Sequence, residues 1–318
     1  MPYSGAMTHN SVESSVRHHA RFLVALGRHD FETVVRQCTE LRGSDEDVRR
    51  VVADEFAAHL ADQATWPDDL DTDRLHRAFR ELDASGIVAR LDHTCCQNCG
   101  ISEIGDEVAT GDGPRGYVFA HRQDMEAAVP EGVLTLAYGL FIAGEQPPEA
   151  QAEIGREVAA ALRRHGLEVD WDGSPRRRID VPLTWRRRRY GERAGFPGAP
   201  ASPDPADDDA LEVSFADERH GPIQNASVWM PFPYARDVLL SVTPYSGSFI
   251  NYENRSGKSL VMIWESGPRL WIEHPDPPNR RSYGRHVTVS EAEELIGVLA
   301  REDRIALTGD LTTNHWGG

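Results

Sequence analysis

Three of the four cysteines fall within five positions, in Leu91-Asp-His-Thr-Cys-Cys-Gln-Asn-Cys-Gly100. Cys96 and Cys99 have the two-residue spacing that brings both sulfurs onto one metal ion or into one disulfide. As zinc ligands they need two more donors, and there is no second pair at that spacing; Cys95, His93 and the distant His121 are the candidates. As a redox pair or nucleophile they would exploit a strand-to-helix junction, where the positive end of a helix lowers a thiol pKa. The third reading gives them no chemistry, since isolated cysteine packs as a small hydrophobe. Cys38 fits that description, because Phe31, Val34, Val35 and Leu41 place it on an apolar helical face.

Two stretches look like phosphate loops and are turns instead. Gly111-Asp-Gly-Pro-Arg-Gly116 has dinucleotide-type glycine spacing but follows a helix and precedes a strand, the reverse of the order in which a helix N-terminus meets pyrophosphate. Gly257-Lys-Ser259 ends like a nucleotide-binding loop, yet Tyr252 stands where the first glycine is needed. The segment Arg176–Arg193 carries eight arginines against Asp180 and Glu192. Such a patch could grip phosphates, but arginines beside an edge strand also block its pairing and meet the protein's own carboxylates, and that use is favoured.

The elements that must position these residues follow from periodicity. Apolar residues recur at helical spacing in Asp30–Leu41, in a helix capped by Ser44 with Val48, Val51, Val52, Phe56 and Leu60 inward, and in one carrying Leu75, Ala78, Phe79 and Leu82 that stops at Gly86. Strands are expected at Ile87–Leu91, Tyr117–Ala120, Val133–Phe141, Leu167–Trp171 and Arg178–Trp185, the last an edge strand because of Pro182. A helix through Ile101, Ile104 and Val108 should follow the cysteines, a short one lies around Met125–Val129, and Pro147-Pro148 opens another that ends at Gly166. Further strands are expected at Leu211–Phe215, Ser227–Met230, Val238–Thr243, Ser248–Tyr252, Leu260–Trp264 and Leu270–Glu273, closed by a helix capped by Ser290 with Glu293 completing the box.

The pattern is that of an α+β protein: N-terminal helices over residues 1–66, a mixed-sheet α/β-type middle domain over 67–193, a disordered linker over 194–210, and a β-rich domain with a closing helix over 211–318. A net charge of −17 argues against a nucleic-acid partner and an anionic membrane. No apolar run reaches membrane-spanning length and the start lacks a signal peptide, so a cytoplasmic location is expected, where a few cysteines stay reduced. Residues 211–318 concentrate Trp229, Phe232, Tyr234, Tyr245, Phe249, Tyr252, Trp264, Trp271 and Tyr283, side chains that anchor interfaces, which points to a protein partner.

Gly86-Ile-Val-Ala-Arg90, Cys95-Cys-Gln-Asn-Cys-Gly100, Gly116-Tyr-Val-Phe-Ala-His-Arg-Gln-Asp124, Leu136-Ala-Tyr-Gly139 and Gly166-Leu-Glu-Val-Asp-Trp-Asp-Gly173, with the Trp185-Arg-Arg-Arg-Arg run, together resemble a bacterial domain family of unknown function over about residues 71–191. The resemblance implies no reaction. It does imply that His121 and Asp124 accompany the double cysteine, while His93 lies outside its pattern. The expectation is a non-enzymatic binding or accessory protein with a structural or zinc-binding site at Cys95, Cys96, Cys99 and His121. The alternative is a thiol oxidoreductase, or a cysteine nucleophile with His121 as base and Asp124 as its orienter. No complete catalytic motif supports an enzyme.

Overall fold

In this computed structural model residues 9–40, 45–108, 113–142, 144, 146–199, 207–219 and 224–316 are described. The inward Leu41, the cap at Ser44, the start of the Gly111–Gly116 turn and residues 200–206 of the proline-rich stretch lie outside them. The chain divides into two compact units, residues 1–68 with 185–204, and residues 69–184 with 205–318.

The first unit is helical: α1 (His9–Ala25), α2 (Phe31–Thr39) and α3 (Asp45–Gln63). Asp30 caps α2 by accepting from the Thr33 amide at 2.8 Å. Phe31, Val34, Val35 and Cys38 bury against Val48, Val51, Val52 and Phe56, as their spacing requires. Part of the arginine run works inside this unit. The Arg189 side chain, 1% exposed, donates to the carbonyls of Val24, His29 and Arg193 and lies 4.4 Å over the Phe56 ring. Arg188 donates to the carbonyls of Pro67 and Asp68. Backbone carbonyls are thus partners of these guanidiniums, because the last turn of a helix and the loops after it leave acceptors that a guanidinium fork can gather.

The second unit contains two sheets. Its first half runs α4 (Asp71–Ala84), β1 (Ile87–Arg90), α5 (Gln97–Glu103) with a 3-10 turn at Ile104–Glu107, β2 (Gly116–Phe119), α6 (Arg122–Glu131), β3 (Val133–Leu140), α7 (Pro148–Arg164) and β4 (Ile179–Pro182). The strands lie in the order β1-β2-β3-β4, with β1 and β2 parallel and the other pairs antiparallel, which makes the mixed sheet expected for the middle region. Left-handed glycines do the reversing: Gly86 at φ +83 turns α4 into β1, and Gly132 at φ +72 turns α6 into β3.

Two expected strands are corrected. Leu167–Trp171 contributes one bridge, Asp170 to Asp180, because Trp171 turns its ring onto Tyr138 and donates its indole N–H to the carbonyls of Ser174 and Arg177. The strand begun at Ile179 stops at Pro182, which has no N–H to extend the ladder, and β4 is the sheet edge that this proline suggested. Trp185, expected to continue the strand, donates instead to the Ala25 carbonyl of the helical unit.

The second half runs β5 (Leu211–Ala216), β6 (Gln224–Met230), α8 (Phe232–Ser241), β7 (Phe249–Glu253), β8 (Ser259–Glu265), β9 (Arg269–Asp276), β10 (Arg281–Val287), α9 (Val289–Glu302) and β11 (Thr312–His315). All its strand pairs are antiparallel, in the order β11-β10-β9-β8-β7-β5-β6. The strand expected at Val238–Thr243 is the end of α8, since Phe232, Ala235, Leu239 and Leu240 form a buried helical stripe that outweighs the local β-branched run. α9 is capped by Thr288, two residues before the expected Ser290, and Glu293 pairs with Arg77 of α4 rather than closing a capping box. Both α8 and α9 cover one face of the sheet, where the Tyr252 hydroxyl donates to the Ala235 carbonyl and Asn254 to that of Leu299. Of the nine aromatics, Phe232, Tyr252 and Trp264 are buried and the others are half-buried.

A buried charge network ties these halves together. Arg90, at the end of β1, donates to Asp83 of α4 at 2.8 Å and to Glu107 at 3.1 Å, while Arg219, after β5, reaches the other Glu107 oxygen at 3.1 Å. Burial opposes charge on Arg90, but the two carboxylates outweigh it and raise its pKa.

Candidate metal centre

The cysteines occupy the junction between β1 and α5. After Arg90 the chain makes a tight excursion in which Asp92 and Thr94 take φ +54 and +57, a conformation uncommon outside glycine. Four hydrogen bonds hold it. The His93 amide donates to the Ala120 carbonyl at 2.9 Å, the Arg122 amide to that of Thr94 at 3.0 Å, and the Arg122 guanidinium grips the buried Asp92 carboxylate at 2.5 and 3.0 Å. The loop is thus stitched to the segment between β2 and α6.

Cys96 is the residue before α5, and Gly100 fixes where that helix sits. A Cβ at Gly100 would collide with the Phe119 ring of β2, so only glycine lets the first turn of α5 lie against the sheet and hold Cys99 above it. The Cys95 and Cys99 sulfurs are 3.5 Å apart, and all three sulfurs of Cys95, Cys96 and Cys99 lie within 4.8 Å of one another. Sulfurs on a tetrahedral zinc, each bonded at about 2.3 Å, stand about 3.8 Å apart, whereas a disulfide needs about 2.05 Å. The three thiols therefore fit one face of a thiolate site and could hold a metal ion. They are also accessible, Cys95 being exposed and the other two half-buried.

Their protonation is graded. The Cys99 backbone amide, then the Cys99 and Cys95 thiols, hold the Cys96 thiol below its ordinary range, while the Cys95 and Cys96 thiols push Cys99 up to about 12. Cys96 thus ionises ahead of Cys99, and a negative sulfur at Cys99 is disfavoured until a cation arrives. Cys38 is a different residue altogether: burial raises its pKa to about 11 in the core of the helical unit.

The histidines are placed elsewhere. His93 is buried, its ring edge-on to Phe119 at 5.6 Å and Nδ1 3.8 Å from Glu107. His121 caps α6: Nδ1 accepts from the Asp124 amide at 3.3 Å, Nε2 lies 3.0 Å from the Asp124 carboxylate, and that carboxylate in turn accepts from the His121 amide at 3.2 Å. Arg178 donates to Asp124 at 3.0 Å and lies 3.4 Å from Nε2. These bonds assign the neutral tautomer with the proton on Nε2. Burial, with Arg178 adding to it, keeps the His121 pKa below its ordinary value despite the opposing pull of Asp124. Among the described residues only the three sulfurs meet as a group of ligand atoms, and His121 is not part of it.

The family model described as Domain of unknown function (DUF6891) matches residues 9–189. The chain belongs to that family. The match starts in α1 and ends at Arg189, so the DUF6891 region takes in the N-terminal helices and the four-stranded sheet as well as the cysteine loop. No curated protein and no solved structure matches the chain. Among the described residues no helix is long and apolar enough to cross a membrane.

Sequence reasoning missed the Asp92–Arg122 clamp and the buried carboxylate Glu107. Neither has a motif. The available signal was the density of charged residues on otherwise apolar segments, Arg90 ending an apolar strand and Glu107 beside Val108.

Proposed function

We propose that the protein is a non-enzymatic accessory protein whose cysteine loop binds one zinc ion through Cys95, Cys96 and Cys99. The observation that carries this is the mutual approach of three accessible sulfurs at metal-face separation on a loop clamped from two sides. Three protein thiolates would hold the ion and would leave room for one further donor, solvent or a group from elsewhere. Zinc bound there would supply Lewis-acid charge; this chain's part is to hold three sulfurs in place and give up their protons, Cys96 ahead of Cys99. The net charge of −17 favours cation capture over anion binding at an exposed loop. His121 and Asp124 serve as positioning residues, since their cap fixes the start of α6 beside Arg122, the residue that clamps the loop.

The test is zinc titration of the full chain against a chelator of known affinity, with thiol counting alongside. One zinc per chain is expected, protecting three thiols from reagent while Cys38 stays silent with or without metal. Cys96→Ser should weaken zinc by at least about tenfold, as loss of a charged ligand requires. Thiols that titrate equally fast with and without zinc would sink the metal reading. A reversible Cys95–Cys99 disulfide in that same zinc-insensitive protein would favour thiol redox chemistry instead.

A further inference from the structure

A second site lies within the same unit, away from the cysteines. α4, the β8–β9 hairpin and the start of α9 enclose a cleft of about 700 Å³, a size that suits a small organic molecule. Its walls are partly apolar, with Ala84, Trp264, Leu270 and Val287 among them, and its polar groups are unevenly provided for. Two buried side chains lining it, Arg80 at 6% exposure and Trp264 at 3%, leave the guanidinium Nε and the indole Nε1 without any hydrogen-bond acceptor.

The rest of Arg80 is also weakly held. Its contacts to the Val242 carbonyl and to Asp83 are both 3.4 Å long, and Asp83 accepts its short bond, 2.8 Å, from Arg90. Burial lowers the Arg80 pKa to about 10, the mark of a cation short of compensating negative charge. The N-terminus of the fourteen-residue α9 also lines the cleft through Val289 and Ser290, while Thr288 accepts from the Glu291 amide with its side chain and from the Ala292 amide with its carbonyl. The cleft's own carboxylates are already engaged: Glu81 by Arg164 and His165, Glu291 by Arg285, and Glu293 by Arg77.

We propose that this cleft binds a small organic anion, with its carboxylate or phosphate received by Arg80, the Trp264 indole N–H and the amides opening α9, and its apolar body held against Ala84 and Leu270. Arg80 and Trp264 have unused donor capacity and the first amides of α9 have no partner within the helix; an acceptor-only anion satisfies these groups once the covered Nε and Nε1 atoms turn towards the cleft. A guanidinium and a helix N-terminus lining one partly apolar cleft disfavour a cationic ligand of the same shape. The site is independent of the cysteine loop, so neither reading depends on the other.

Calorimetric titration of the full chain with phenyl phosphate, benzoate, inorganic phosphate and benzylamine tests this. Saturable binding of phenyl phosphate or benzoate, one per chain, is expected, with inorganic phosphate weaker and benzylamine inert. Preference between the first two assigns the headgroup. Arg80→Lys should weaken the bound anion by at least about tenfold, the scale of one charge-assisted hydrogen bond. Should Arg80→Lys fail to fold, Ala84→Phe, at an exposed position on the rim, fills the slot and should abolish binding with the melting temperature kept. Absence of saturable anion binding, equal binding of benzylamine, or unchanged anion affinity in Ala84→Phe would overturn the proposal.

Discussion

Arg90 ends β1 and Cys96 precedes α5, yet the two side chains work under opposite conditions. Arg90 is 7% exposed and bound by carboxylates from α4 and from the turn after α5, so its charge is a structural commitment that cannot be withdrawn without leaving partners stranded. The cysteine sulfurs stand at the surface, held together by backbone geometry rather than by one another, and can be protonated or altered with little consequence for the core. The contrast shows how a single short segment can supply both rigidity and reactivity. The buried network fixes the end of β1, and the loop that departs from it inherits a defined starting point.

The contrast breaks first at Glu107. Glu107→Gln removes the charge shared by Arg90 and Arg219, and breaking such a buried pair should cost about 3–5 kcal/mol of unfolding free energy in denaturant titration. Zinc affinity measured on the folded fraction should change much less. An equal loss of metal affinity would mean that the loop and the network are one cooperative structure rather than two.

Gly100→Ala sharpens the comparison from the other side. Its methyl would meet Phe119, so α5 must lift or the ring must move, at about 1–3 kcal/mol for overpacking. Here stability and zinc affinity should fall together, because displacement of the first turn moves Cys99 relative to Cys95. Unchanged zinc affinity would show that the three sulfurs adjust independently of the helix.

The smallest expected effect is a pH dependence that bypasses both regions. Burial, with Arg189 nearby, lowers the His59 pKa to about 4 from 6.5, while its ring stays hydrogen-bonded to the Arg187 carbonyl at 2.9 Å. The unfolded chain binds this proton more readily than the folded one, so the contribution is complete above about pH 6.5 and is lost as pH falls towards 4. The melting temperature of the helical unit should therefore drop between pH 7 and 5, and His59→Gln should flatten that slope. A slope unaltered by the substitution would assign the effect to another group.

Local pattern was a good guide wherever one element's own residues settle the matter. Helical spacing marked α2, α3 and α4, Gly86 marked the reversal after α4, and the spacing of Cys96 and Cys99 marked the loop as chemically distinct. It failed where two tendencies compete locally: Val238–Thr243 has strand-like residues but belongs to the tail of a helix whose stripe faces the sheet, and Leu167–Trp171 is drawn from a strand by the indole's partners. β10 and β11 escaped notice because Arg281–Val287 and Thr312–His315 carry little apolar alternation, their pairing coming from neighbouring strands.

Spacing along single segments was therefore enough for most helices and strands, for the mixed sheet of the middle region and for the identity of the cysteine cluster. Only the tertiary structure decided that Cys95 joins Cys96 and Cys99 while His121 caps its own helix, and that Arg80 lines a cleft with donors to spare. Those outcomes depend on which distant backbone and side-chain groups satisfy one another's hydrogen bonds and charges once buried, and that competition is settled by packing in three dimensions rather than by order along the chain.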